Sequence, residues 1–224
     1  MTRDRQRLRE IYRRLLARYG PQHWWPAETP FEVMVGAVLT QNTAWRNVER
    51  AIDNLRREDL LSPGAIAALP AAGLAHHLRP AGYFNVKAKR LQALCLWLRE
   101  QGDLRRLGTQ RLRERLLAVH GIGPETADDI LLYAFQRPVF VIDAYTRRLF
   151  GRLGYLDPGL PYERLRRGFE HALGAEVALF NEYHALIVVH AKEVCRPRPR
   201  CDSCCLMRVC AIGNPGLSPR PLQV

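Results

Sequence analysis

Apolar residues return every three or four positions along nearly the whole chain. Leu8, Ile11, Leu15 and Tyr19 define one such face, and Leu91, Leu94, Trp97 and Leu98 another. This is the period of amphipathic helices, and it predicts an all-α protein. The punctuation agrees. Thr29-Pro30-Phe31-Glu32 combines an N-cap, a proline in the first turn and a capping-box glutamate; Ser62-Pro63 and Thr109 open further helices, and Gly20, Gly102 and Gly174 close others. One β-branched run, Val139 to Ile142, is too short and isolated for a sheet, so it is expected to lead in extended form into a helix beginning at Asp143. Asn214 to Val224 is rich in proline and aperiodic, which predicts a loose tail.

Composition narrows the class. With 224 residues, 47% of them apolar, the chain can bury a real core as one large or two small domains. A formal net charge of +12 attracts polyanions. Nucleic acid is favoured over membrane, because no apolar run approaches ~20 residues; a merely solvated basic face is the plain alternative. Nearly all the positive charge is arginine, whose planar fork suits phosphate oxygens, and the only lysines are Lys87, Lys89 and Lys192. The N-terminal MTRDRQRLRE lacks the apolar core of a signal peptide, which places the protein in a reducing cytoplasm where disulfides are not expected.

Five of the six cysteines crowd into CRPRPRCDSCCLMRVC. Cys195, Cys201, Cys204 and Cys210 are separated by five, two and five residues, close enough for four thiolates to converge on one metal centre. Zinc and a [4Fe-4S] cluster both accept four thiolates; a compact run with a single CxxC favours the cluster. Cys205 is a spare or an alternative to Cys204, and Cys95, within an apolar helical face, reads as a packing residue.

The other marked stretch is LLAVHGIGPETADDILLYAF. A helix from Thr109 to about Val119, a Gly121-Ile122-Gly123 hairpin and a second helix from near Pro124 would leave free amides at that helix start, able to hold a phosphate without reading sequence. A plain helix–helix connection fits the same residues. Eighteen residues after Glu125 comes Asp143, at a position where a carboxylate ordinarily caps a helix.

Together, VHGIGPETADDILLYAF and VIDAYTRRL resemble the helix-hairpin-helix and Gly/Pro-Asp signature of the endonuclease III superfamily of DNA glycosylases. The cysteine run resembles that superfamily's iron–sulfur loop, with one residue fewer between the first two cysteines. HWWP, FEVMVGAVLTQNTAW and RPAGYFNVKAKRL are similar to the subgroup that excises 3-methyladenine and related alkylated purines. The resemblance implies two helical domains flanking a DNA-binding cleft: residues 27–138 with the hairpin, and residues 1–26 plus 139–224 with the cluster. It implies a monomer acting on double-stranded DNA of the nucleoid.

The resemblance also assigns residues. Asp143 matches the superfamily's catalytic aspartate. Glu125 stands where bifunctional members carry a Schiff-base lysine, so the implied enzyme is monofunctional, with water as nucleophile; Glu125 itself either serves catalysis or supports its helix. Trp24, Trp25 and Trp45 match aromatic residues that stack the extruded base, with packing as the alternative, and Lys192 either reaches that base or lies at the surface. Gln41 and Asn42 fill the gap left by the flipped base or cap a helix. His120, Gly121, Gly123 and Thr126 complete the DNA-facing hairpin. Two rivals remain: a glycosylase and abasic lyase acting on oxidised or deaminated bases, and a non-catalytic DNA-binding module.

Overall fold

The computed structural model describes residues 3–219, 221 and 222. Among the described residues all regular structure is helical, as the periodicity predicts. In chain order the helices are α1 (Arg3–Tyr19), α2 (Pro30–Leu39), α3 (Trp45–Arg57), α4 (Pro63–Ala68), α5 (Ala71–His77), α6 (Phe84–Arg99), α7 (Thr109–Leu117), α8 (Pro124–Asp129), α9 (Ala144–Leu153), α10 (Tyr162–Leu173) and α11 (Val177–Glu193). A π-helical turn, Ile130–Ala134, extends α8. No described helix is long and apolar enough to cross a membrane.

Contacts divide the chain into two compact units, Met1–Trp24 with Pro138–Val224, and Trp25–Arg137. In the first unit α1 packs on α10 and α11, and α9 on α11. The core is aromatic: Phe140 stacks on Phe169 at 4.5 Å between ring centroids, with Phe180 edge-on. Buried Tyr183 donates its hydroxyl to the Leu8 carbonyl at 2.8 Å, joining α11 to α1. Residues 139–142 lead, buried and without regular structure, into α9, and the Phe140 N–H is taken up by Glu170 at 3.0 Å.

In the second unit α2 is buried along residues 32–39 and packs on α3, α6, α8 and the π turn. A helix apolar on every side belongs in a core. Its start follows the sequence: Thr29 Oγ1 accepts the Glu32 N–H at 3.1 Å. The capping box is altered, however, because Glu32 reaches back to the Glu28 N–H at 3.2 Å and also binds Arg56 at 2.8 Å. Ser62 caps α4 as expected.

As expected, α7 begins at Thr109, with Gly108 as its N-cap and no side-chain capping bond. One expectation needs correction. The C-terminal tail is not loose throughout: Leu222 is 5% exposed and donates its N–H to the Tyr155 carbonyl at 2.7 Å, the backbone bond and buried leucine supplying what periodicity alone does not register. Arg220, Gln223 and Val224 of that tail lie outside the described residues.

Candidate active site

The hairpin belongs to the second unit. Gly121 adopts φ +84°, a conformation that costs other L-residues roughly 1–2 kcal/mol, and a Cβ there would stand 2.2 Å from Arg90 Cγ. Glycine is therefore required twice over. Ile122 buries its side chain while Gly123, extended at φ −90°, caps α8. Below the turn, Arg113 of α7 and Asp128 of α8 form a buried two-pronged ion pair, Nε–Oδ1 2.6 Å and Nη2–Oδ2 3.1 Å. This pair fixes one hairpin helix to the other.

Gln41, just beyond α2, clamps the turn from the side. Its Nε2 donates to the Gly121 carbonyl at 3.2 Å and to Thr126 Oγ1 at 2.9 Å, and its Oε1 accepts from Arg90. Thr126, expected to face DNA, is instead 5% exposed, so its hydroxyl holds the hairpin together from inside. His120, Gly123 and Glu125 are exposed, as is Asn42, which takes a left-handed φ of 54°.

Trp25 is half-buried, edge-on to Trp45 at 5.2 Å and tilted against Tyr133 at 5.1 Å, with its ring seated over Gly36. Trp45 opens α3 and donates its Nε1–H to Glu49 Oε1 at 2.7 Å. Sequence reasoning passed over Tyr83. It is 69% exposed at φ 46°, directly after Gly82 at φ 65°. The Ala81 carbonyl that anchors this turn accepts from Thr43 Oγ1 at 2.6 Å and from the buried ammonium of Lys87 at 2.7 Å. Burial lowers the Lys87 pKa to about 8.

Asp143 belongs to the first unit. It caps α9, is 8% exposed, and accepts the Thr146 N–H on Oδ1 at 2.7 Å. Its Oδ2 lies 3.5 Å from Nε2 of His184, a buried residue of α11. Burial alone would raise this carboxyl, but the imidazole beside it and the Thr146 amide outweigh that and hold it below its ordinary value. The Lys192 ammonium lies 5.7 Å from the Tyr145 ring centroid and 5.9 Å from that of Trp24. Burial lowers its pKa, and the Asp143 charge partly restores it. His184 and Tyr145 were also missed. A histidine within the apolar run YHALIVV was the available signal, since a polar group in a buried face requires a partner.

Four cysteines of the first unit meet at one pocket. Cys195, Cys201, Cys204 and Cys210 line it together with Leu149, Val194, Leu206 and Met207, whereas Cys205 does not. Arg152 braces the loop, donating to the Cys195, Arg196 and Pro197 carbonyls and approaching Cys195 Sγ at 3.4 Å. Cys204 Sγ faces His190 Nε2 at 3.5 Å, and Cys95 is a buried packing residue. Among the described residues no three such ligands converge on a single-ion point. Four thiolates around one pocket are a donor set that fits a [4Fe-4S] cluster. Cys204→Ser should accordingly lose the iron–sulfur absorbance near ~400 nm and Cys205→Ser should keep it, both read on purified protein against bound iron and sulfide.

This is a helix-hairpin-helix protein. Residues 35–173 match the HhH-GPD superfamily of base excision DNA repair proteins, and the chain belongs to that superfamily. Over 207 residues it is 47% identical to a candidate DNA repair glycosylase of Methanocaldococcus jannaschii, covering 90% of this chain and 94% of its relative. It is 31% identical to an H. pylori 3-methyladenine DNA glycosylase solved with 1,N6-ethenoadenine, with a TM-score of 0.72 over 85% of this chain and 97% of the other. A non-covalent endonuclease III–DNA complex shares the fold at a TM-score of 0.81 and 22% identity, over 95% and 97% of the two chains. The activity class is that of a DNA glycosylase of the endonuclease III superfamily.

Proposed function

We propose that the protein is a monofunctional glycosylase that hydrolyses the N-glycosidic bond of alkylated purines, 3-methyladenine among them, in double-stranded DNA. The observation that carries this reading is Asp143, a buried carboxylate held ionised by His184 and the Thr146 amide. The hairpin position of bifunctional enzymes is here the carboxylate of Glu125, which cannot form a Schiff base.

A base must leave the duplex before it is cut, and a damaged base leaves at least cost. The exposed Gly123 amide and neighbouring arginines grip phosphate while Gln41 and Thr126 keep the turn rigid. Exposed Tyr83, presented by a turn of two left-handed residues, is placed to stack in the disturbed duplex. Alkylation at N3 makes adenine a cation and a good leaving group. Asp143 then faces the positive charge growing on the sugar as the C1′–N bond breaks, and water adds at C1′. A lowered pKa makes this carboxylate a weak base, so its main roles are electrostatic stabilisation and orientation of that water. Trp45 receives the base, Trp25 supports Trp45 from behind, and Lys192 and Trp24 flank the aspartate's surroundings. Glu125, in the first turn of α8, favours the helix dipole. Cys195, Cys201, Cys204 and Cys210 would hold a [4Fe-4S] cluster, which when bound organises the basic loop between them.

The test is to identify the free bases released from methylated duplex DNA by mass spectrometry while following strand integrity. Release of 3-methyladenine from unbroken strands, with no adduct after borohydride treatment, is the expected result. Release of oxidised pyrimidines with a trapped adduct would overturn it and direct attention to the Lys192 amine.

A further inference from the structure

We propose that Glu49 tunes the Trp45 ring to prefer a positively charged base over a neutral one, an inference that rests on reading Trp45 as the base-stacking residue. Trp45 and Glu49 are one turn apart on α3, and the carboxylate accepts the indole N–H at 2.7 Å. An anion on the edge N–H pushes electron density into the ring and deepens the negative potential over its faces, which is the potential a cation seeks.

The surroundings leave that charge available. Glu49 and Trp45 line an open pocket with Glu32, Asp53, Arg46, Arg50 and Arg56; Glu32 and Asp53 are paired with Arg56, at 2.8 Å and 2.6 Å, and neither Arg46 nor Arg50 is within ion-pair distance of Glu49. Among the described residues Glu49 forms no ion pair; its partner is the indole. Trp24 has the opposite character, because its ring already carries the Lys192 ammonium. Of these two indoles, Trp45 is therefore the one whose electrostatics suit a cationic purine.

The experiment compares single-turnover release of two bases: 3-methyladenine, cationic in methylated duplex DNA, and 1,N6-ethenoadenine, neutral, from a defined duplex. Glu49→Gln keeps an acceptor for the indole N–H while removing the charge. The ratio of cationic to neutral release should fall about tenfold. In a Trp45→Phe background, where there is no N–H to polarise, Glu49→Gln should leave the ratio within about twofold. An unchanged ratio in Glu49→Gln, with the unsubstituted enzyme releasing alkylated base normally, overturns this inference and leaves the proposed function standing. A drop as large in the Phe background also overturns it, since the charge would then act without the indole. Failure of the unsubstituted, cluster-loaded enzyme to release either base removes the function and the inference together.

Discussion

Asp143→Asn should abolish base release, by on the order of 10³-fold or more, without unfolding the protein. Asparagine ranks with aspartate as an N-cap, so the bond from the Thr146 amide survives and α9 keeps its start. The anion alone is lost. Single-turnover release at saturating enzyme, beside a thermal melt, separates the two effects: an inactive variant with a near-native Tm supports the role. An active one would remove Asp143 from the catalytic role. The same carboxylate sets a pH expectation. Because its folded pKa is depressed, its contribution to stability is fully present above the unfolded value of about 3.9 and disappears as pH falls through the lower folded value. The rate profile should therefore show no acid limb from this group between pH 5 and 7, in contrast to glycosidases whose general acid is held near pH 6. A limb centred near 6 that vanished in the asparagine variant would contradict the assignment.

The second large effect is on stability. Asp128→Ala leaves the Arg113 guanidinium buried without its carboxylate, and should cost about 3–5 kcal/mol in denaturant unfolding. Arg113→Met combined with Asp128→Leu should recover most of the loss, because apolar residues of similar volume can replace a buried pair with little net cost. The double variant has a further use. If the pair matters only for stability, DNA affinity returns with the fold; if it also sets the angle between α7 and α8, binding stays weak in a stable protein.

The helices, the caps Thr29, Ser62 and Asp143, and the clustering of the cysteines were legible because each rests on local rules. Period, proline and glycine positions, and thiol spacing all act within a few residues. Even Asp143 as a helix cap could be read from its place before an apolar stretch. The environment that gives Asp143 its chemistry could not. His184 lies far along the chain, on a helix whose sequence announces only burial, and Tyr183 beside it serves the core. Gln41 and Thr126 show the same limit. Their residue types fit a DNA contact, and only the fold reveals that they bind each other. The expectation for Thr126 overlooked a partner 85 residues away, since its buried hydroxyl accepts from Gln41. Cys204 and Cys205 are adjacent and chemically identical, so their separation needed the pocket itself.

The two-part course of the chain has a consequence for its birth on the ribosome. The first unit is assembled from both ends of the polypeptide, with the second unit inserted between them. The carbonyl of Leu8 meets its partner only when Tyr183 has emerged. At about 5–20 residues per second, Leu8, Ile11 and Leu15 of α1 wait roughly 9–35 s for Tyr183, through the synthesis of the whole inserted unit. The apolar face of α1 thus stays open until α10 and α11 have been made, and a chain stopped before both would keep it uncovered.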